Sequence, residues 1–246
     1  MLGMIDWGIG GISIFKLIKE RLGDIPVVYL SDTGATPYGM MERRELASRL
    51  DRVVVFLKTR GMTHLVIGCN AASTAIPDLA DHGIPIQGVI VPAVEAAAKR
   101  RPTRLGLIGG RRTVLSGIYR RAFADRGIPL EQRIAQPLSG MIERGDVSSA
   151  SLRSEAHRIL SPLRNCSHIL LACTHYPAIE GLLSEFVSPG TEFIDPAEAA
   201  IAKVRRWKLP TAGNDEFLTT GDPMQMKMSA SLAFGVTLQG VKKVAI

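Results

Sequence analysis

The chain is poor in cysteine, with three in 246 residues. So small and odd a number argues against a disulfide framework and for a reducing compartment. Aromatic residues make up only 5%, too few to interleave with the basic pairs as the stacking platform of a single-strand nucleic-acid binder. No apolar run approaches the roughly 20 residues that span a bilayer. The N-terminus lacks the charged segment and long apolar core of a secretory leader, so a cytoplasmic protein is expected. Neither Cys-x-x-Cys nor His-x-x-x-His spacing occurs, and no metal site is expected. Low-complexity segments are absent as well.

Aliphatic residues and positive charge are what the chain does have. It is 46% hydrophobic, enough for conventional cores, and its 30 Lys and Arg against 23 Asp and Glu give a net charge of +7. Basic residues gather at Arg43-Arg44, Lys99-Arg100-Arg101, Arg111-Arg112, Arg120-Arg121 and Arg205-Arg206. These fall in or beside helix-like segments and read as solvated helix faces. The positive field also suits a small anionic substrate. A nucleic-acid partner is not expected.

Strand-like and helix-like segments alternate from the first residue. Residues 1–6 form an apolar run ending in a carboxylate, followed by a glycine turn at Gly8, Gly10 and Gly11 and helical spacing over 12–22. Residues 26–31 read as a strand. Over 42–60, Leu46, Leu50, Val53, Val54 and Leu57 share one helix face. Strands are predicted at 65–68 and 86–91. The second half restarts with a strand at 104–108, helices at 113–126 and 148–164, a strand at 169–173, and helices at 178–186 and 197–207. A tail strand at 216–220 and a helix from Pro223 follow. Apolar strands without alternation, separated by amphipathic helices, indicate parallel sheets covered on both faces. The reading is α/β: two similar doubly wound domains related by a pseudo-twofold axis. They comprise residues 1–92 with a returning segment 208–246, and residues 93–207.

A repeat supports this division. His64-Leu65-Val66-Ile67-Gly68-Cys69-Asn70 is matched by His168-Ile169-Leu170-Leu171-Ala172-Cys173-Thr174, and at nearly the same offset Leu2-Gly3-Met4-Ile5 is matched by Leu105-Gly106-Leu107-Ile108. Ligands in such sheets sit at the carboxyl ends of strands, which brings Asp6, Cys69 and Cys173 to one region between the halves. A single cysteine beside a strand is ordinary core material; two at equivalent places of a repeat can face each other across a cleft. Moving a proton from one face of a carbon to the other requires that pairing, a base on one side and an acid on the other. A thiol, with a free pKa of ~8.5, can be tuned to either role. Each needs an activating neighbour: His175 lies two residues past Cys173, Asp6 ends the strand beside the one leading to Cys69, and Glu143 is a further acid. Cys166 falls outside the pattern and reads as core.

These residues carry a resemblance. The chain resembles the glutamate racemases of the aspartate/glutamate racemase superfamily over nearly its whole length. The matching pieces are Asp6-Trp7-Gly8-Ile9-Gly10-Gly11, Asp32-Thr33 with Pro37-Tyr38-Gly39, Cys69-Asn70, Thr113 with Ser116-Gly117-Tyr119, Glu143 with Gly145, Cys173-Thr174-His175-Tyr176-Pro177, and Thr220-Gly221-Asp222-Pro223. The resemblance implies a cofactor-independent, two-base enzyme that interconverts L- and D-glutamate to supply cell-wall peptidoglycan. Cys69 and Cys173 would be its bases, assisted by Asp6 and the Glu143/His175 pair. Asn70 and Thr174 would hold the α-carboxylate, and Pro37, Tyr38 and Gly39 would line the side-chain carboxylate site with backbone N–H donors. The family usually has serine where Trp7 stands and threonine where Ala71 stands, so both positions border the expected substrate site with altered chemistry. A homodimer is compatible with this reading.

Two other readings compete. Gly8-x-Gly10-x-x-Ser13 between strand and helix, with Asp32 after the next strand, mimics a dinucleotide fingerprint without its third glycine. A divergent racemase of other specificity, or an inactive ligand-binding homologue, would keep the fold and its contacts.

Overall fold

The structure, a computed structural model, describes residues 1–246. The first part runs β1 (Leu2–Asp6), α1 (Ile12–Leu22), β2 (Val27–Ser31), α2 (Arg43–Lys58), β3 (His64–Ile67), a short α3 (Asn70–Ser73), β4 (Ile86–Gly88) and α4 (Ile90–Lys99). The second runs β5 (Leu105–Gly109), α5 (Arg111–Leu115), α6 (Ile118–Ala124), β6 (Leu130–Ile134), α7 (Gln136–Glu143), α8 (Ala150–Leu160), β7 (His168–Ala172), α9 (Glu180–Ser184), β8 (Glu192–Ile194) and α10 (Pro196–Val204). The tail adds β9 (Glu216–Thr219), α11 (Pro223–Phe234) and β10 (Lys242–Lys243). No helix is long and apolar enough to cross a membrane.

Two parallel sheets result, ordered β10-β9-β2-β1-β3-β4 and β6-β5-β7-β8. The β2-β1-β3-β4 portion of the first has the same order as the whole of the second. The register repeats too: Leu2 pairs with His64 across β1 and β3, and Leu105 pairs with His168 across β5 and β7. The sequence repeat is therefore a repeat of position in the sheet. The tail strand β9 joins the first sheet beside β2, pairing Val28 with Glu216.

Both faces of each sheet are covered, as the unbroken apolar strands require. Met4 and Ile5, neighbours on β1, enter different core clusters, because successive side chains leave opposite faces of a strand. Leu107 and Ile108 divide the second sheet in the same way. The apolar stripe of α2 is fully buried at Leu46, Leu50, Val53, Val54 and Leu57, each stabilising the fold by about 1.5–3 kcal/mol relative to exposure. A capping box between Glu42 and Glu45 starts this helix. Helix α10 packs its buried Ala197, Ala200, Ile201 and Val204 on the first sheet's core, while α4 faces the second sheet; these two helices join the units.

Several elements differ from the sequence reading. The strand expected at 86–91 ends at Gly88, and α4 begins at Ile90 with Pro92 in its first turn, where the missing N–H costs nothing. The helix expected over 113–126 is broken into α5 and α6 at Gly117, which adopts φ 68°, a left-handed conformation that glycine enters without steric cost. α3, α4, β6, α7, β8 and β10 are additional to the predicted elements.

Candidate functional site

A cleft of about 230 Å³ lies between the carboxyl edges of the two sheets. Cys69 and Cys173 both line it, as do Asp6, Thr174 and His175. Trp7, Asn70 and Ala71 border it from the first unit, and Pro37, Tyr38 and Gly39 from the loop after β2. Of the residues the sequence singled out, only Glu143 stands back from the cleft wall.

Cys69 follows β3 and forms the N-cap position of α3. Burial pushes its thiol well above the ordinary range; the Asp6 carboxylate adds to this and the Ala72 N–H opposes it. Asp6 is itself buried, and burial raises its pKa against the pull of His175 and hydrogen bonds from Thr174 and Cys69. Its Oδ1 accepts from the Trp7 N–H at 2.6 Å and its Oδ2 from the Thr174 hydroxyl at 2.9 Å. A neutral thiol beside a buried acid is therefore the resting form here. Next to it, the Tyr119 hydroxyl donates to Asn70 Oδ1 at 2.7 Å, fixing the amide with Nδ2 buried and without a protein partner. An unpaired buried donor costs about 1–3 kcal/mol, which a ligand carboxylate in the cleft would offset.

On the opposite wall, Cys173 Sγ lies 3.6 Å from His175 Nδ1, and His175 Nε2 lies 2.6 Å from Glu143 Oε2. Burial disfavours charge on this imidazole. Its hydrogen bonds to Cys173 and Glu143, with their negative charges, outweigh that and hold its pKa well above the usual value. The arrangement is an imidazole between a sulfur and a carboxylate that favour its protonated form. Because the folded-state pKa is raised, the associated stabilisation is complete below about pH 6.5 and is lost as pH rises through the raised value.

The glycine turn after β1 fits this assembly closely. A Cβ on Gly8 would stand 2.0 Å from Glu143 Oε2, and one on Gly10 would stand 2.5 Å from Thr174 Oγ1. The Ile9 N–H donates to the same Glu143 oxygen at 2.9 Å. A carboxylate of the chain itself thus occupies the turn where a dinucleotide would seat its pyrophosphate. Asp32, the acid that would bind a ribose, is fully buried against Arg49, with Nη2–Oδ1 at 2.6 Å and Nε–Oδ2 at 2.8 Å. It also accepts from the Tyr38 and Thr220 hydroxyls, each at 2.8 Å. Its role is to pin the Pro37–Gly39 loop against the cleft, and the dinucleotide reading loses both of its anchors.

Trp7 does not swing away from the cleft. It borders the space while its indole N–H donates to the Ala35 carbonyl at 3.1 Å, tying it to the loop after β2. Ala71 presents only a methyl group to the same space.

Sequence reasoning missed one wall of the cleft. Gln136, Ser139 and Gly140 line it from α7 and Arg111 from α5, beside Thr113, which was among the matching pieces. With Glu143, the α7 residues recur at i, i+3, i+4 and i+7, a single helix face. That face is polar or small, so no apolar periodicity announces it.

Two doubly wound parallel-sheet units, each presenting one thiol backed by its own acid or imidazole to a cleft sized for a small molecule, define an α/β protein with a paired-thiol site. The chain belongs to the Asp/Glu/hydantoin racemase family, whose model matches residues 2–204. A glutamate racemase of Beutenbergia cavernae is 32% identical over 250 residues, covering 90% of this chain and 85% of that protein. The crystal structure of glutamate racemase from Thermus thermophilus in complex with β-chloro-D-alanine is similar with a TM-score of 0.85 and 30% identity, covering 100% of this chain and 96% of that one. A glutamate racemase isoform from Bacillus anthracis gives a TM-score of 0.89 at 25% identity, with 100% and 97% covered.

Proposed function

We propose that the protein is a cofactor-independent, two-base racemase that interconverts L- and D-glutamate in the cytoplasm and supplies D-glutamate for peptidoglycan precursors. One observation carries this reading: thiols from equivalent strand ends of two repeated units line the same cleft. The names of the relatives supply the substrate. Cys173, 3.6 Å from His175 Nδ1, is the base that takes the α-proton from one enantiomer. Cys69, kept neutral by burial and Asp6, gives its proton to the other face of the carbon. The S–H bond formed at Cys173 replaces the C–H bond broken, and the reverse reaction exchanges the roles. Asn70 Nδ2 and Thr174 bind the α-carboxylate, and the Pro37–Gly39 backbone meets the side-chain carboxylate. Closure of the first sheet's unit, with α10 packed on it, against the second sheet's unit excludes water during transfer.

Incubating the protein with single amino acids in D₂O and following the α-proton by NMR tests this. Deuterium incorporation with inversion of glutamate is expected. Inversion of another amino acid in preference to glutamate would move the assignment to a divergent specificity, and exchange with none would leave a binding protein.

The pH dependence tests the assistants. Removing the Glu143 charge by Glu143→Gln lowers the pKa of His175, so the alkaline limb of kcat/KM should move to lower pH. A limb that stays in place would assign it to another group.

The methyl wall at Ala71 favours a further expectation. Ala71→Thr adds a hydroxyl beside the bound carboxylate, and a hydrogen bond to a charged group contributes about 1.5–3 kcal/mol. Fully realised, that raises kcat/KM for glutamate about 10- to 100-fold. An unchanged value would show that a hydroxyl at position 71 does not reach the bound carboxylate.

A further inference from the structure

The catalytic cleft is smaller than a hollow beside it. A cavity of about 720 Å³ opens next to it and shares Gly39, Met40 and Arg111 with it. Four arginines border this space: Arg43 at the start of α2, Arg111 and Arg112 on α5, and Arg121 on α6. One carboxylate, Glu42, stands among them. Three of the guanidinium groups are held in place by the protein. Arg43 pairs with Asp78, its second contact being Nη2–Oδ1 at 3.0 Å. Arg112 Nε donates to Thr74 Oγ1 at 3.1 Å and its Nη1 to the Met41 carbonyl, both on the first unit. Arg121 Nη2 donates to the Ser116 carbonyl at 3.0 Å. The Arg111 side chain makes no hydrogen bond or ion pair and reaches both spaces. The walls also carry exposed apolar groups, Met40 at 76% and Leu115 at 61%, one from each unit.

Gathering like charges around an open space costs energy that a bound anion returns. A small amino acid does not need a second, larger cavity. Several guanidinium forks around one volume match the oxygens of phosphate groups, which accept bidentate donation. We propose that this cavity binds an oligophosphate anion, two or more linked phosphates, bridging the two units at the mouth of the cleft. Arg43 holds it from one side and Arg111, Arg112 and Arg121 from the other. Met40 and Leu115 offer an apolar cover for any ring that the phosphates carry.

Isothermal titration of the full-length protein tests this, with inorganic pyrophosphate and adenosine diphosphate as probes and sulfate at equal ionic strength as the control. Both probes, or the nucleotide alone, should bind at least tenfold more tightly than sulfate. Equal affinities assign the binding to the phosphates, and a preference for the nucleotide adds the apolar walls. Arg121→Ala and Arg111→Ala, both at exposed positions, should each weaken binding about tenfold or more. Affinity no greater than that of sulfate, or full affinity in both variants, would overturn the site. The titration does not use turnover, so its outcome stands apart from the identity of the amino-acid substrate.

Discussion

Replacing Cys69 or Cys173 with alanine is expected to lower net racemisation by about 10²–10⁴-fold, the usual contribution of a positioned acid or base. Each face of the α-carbon needs its own proton carrier, so neither thiol can substitute for the other. The two variants should still differ from an unfolded protein. The cysteine that remains can remove and return the proton on its own face, giving solvent exchange of one enantiomer without inversion. Cys69→Ala and Cys173→Ala should therefore exchange opposite enantiomers in D₂O. Cys166 is buried in the core of the second unit and does not reach the cleft, so Cys166→Ala should keep turnover. Unimpaired inversion in either of the first two variants, or exchange of the same enantiomer in both, is incompatible with the two-base assignment.

The second large effect is on stability. Arg49 and Asp32 form a buried pair, with side chains 9% and 0% exposed. Removing one member of such a pair leaves an uncompensated charge and costs about 3–5 kcal/mol. Arg49→Met should lower stability by that amount in denaturant titration and raise KM, because Asp32 also anchors the Tyr38 hydroxyl beneath the cleft loop. Arg104 and Glu131, at 49% and 44% exposure, are the comparison: an exposed pair contributes about 0–1 kcal/mol, so Arg104→Met should be nearly silent. Similar losses in both variants would show that the burial of Asp32 is not what makes its pair important.

The fold was legible where structure is local and apolar. β1, β3, β5 and β7 are continuous apolar runs, and their repetition gave the two sheets and both thiols before any coordinates. Residues that act across the units were harder to place. Glycine at positions 8 and 10 is plain in the sequence, but the reason for it is Glu143 and Thr174 arriving from the other unit. Read locally, the same glycines imitate a phosphate turn. Helix α7 escaped notice because Pro137 and Gly140 are poor helix formers and its cleft face carries Gln136 and Ser139. Its apolar contribution rests on Leu138 and Ile142, too few to set a period. β8 is only three residues long, below the length at which a run can be told from a loop. The departure at Trp7 was visible, but its tether to Ala35 was not, since that contact depends on where the loop after β2 returns.

The returning tail has a consequence for how the chain acquires its shape. β2 lies between β1 and β9, and β9 follows the entire second unit in the chain, so it emerges from the ribosome after that unit. Until then one side of β2 is an unpaired edge, able to associate with other nascent chains. The second unit, whose strands all fall between Leu105 and Ile194, has no such wait. Synthesis should therefore reverse the usual N-to-C order, with the later half settling first and the earlier half closing on it when Glu216–Thr219 emerges. A chain ending before residue 216 is expected to aggregate through β2 while its second unit remains folded, a state that limited proteolysis of arrested chains would reveal.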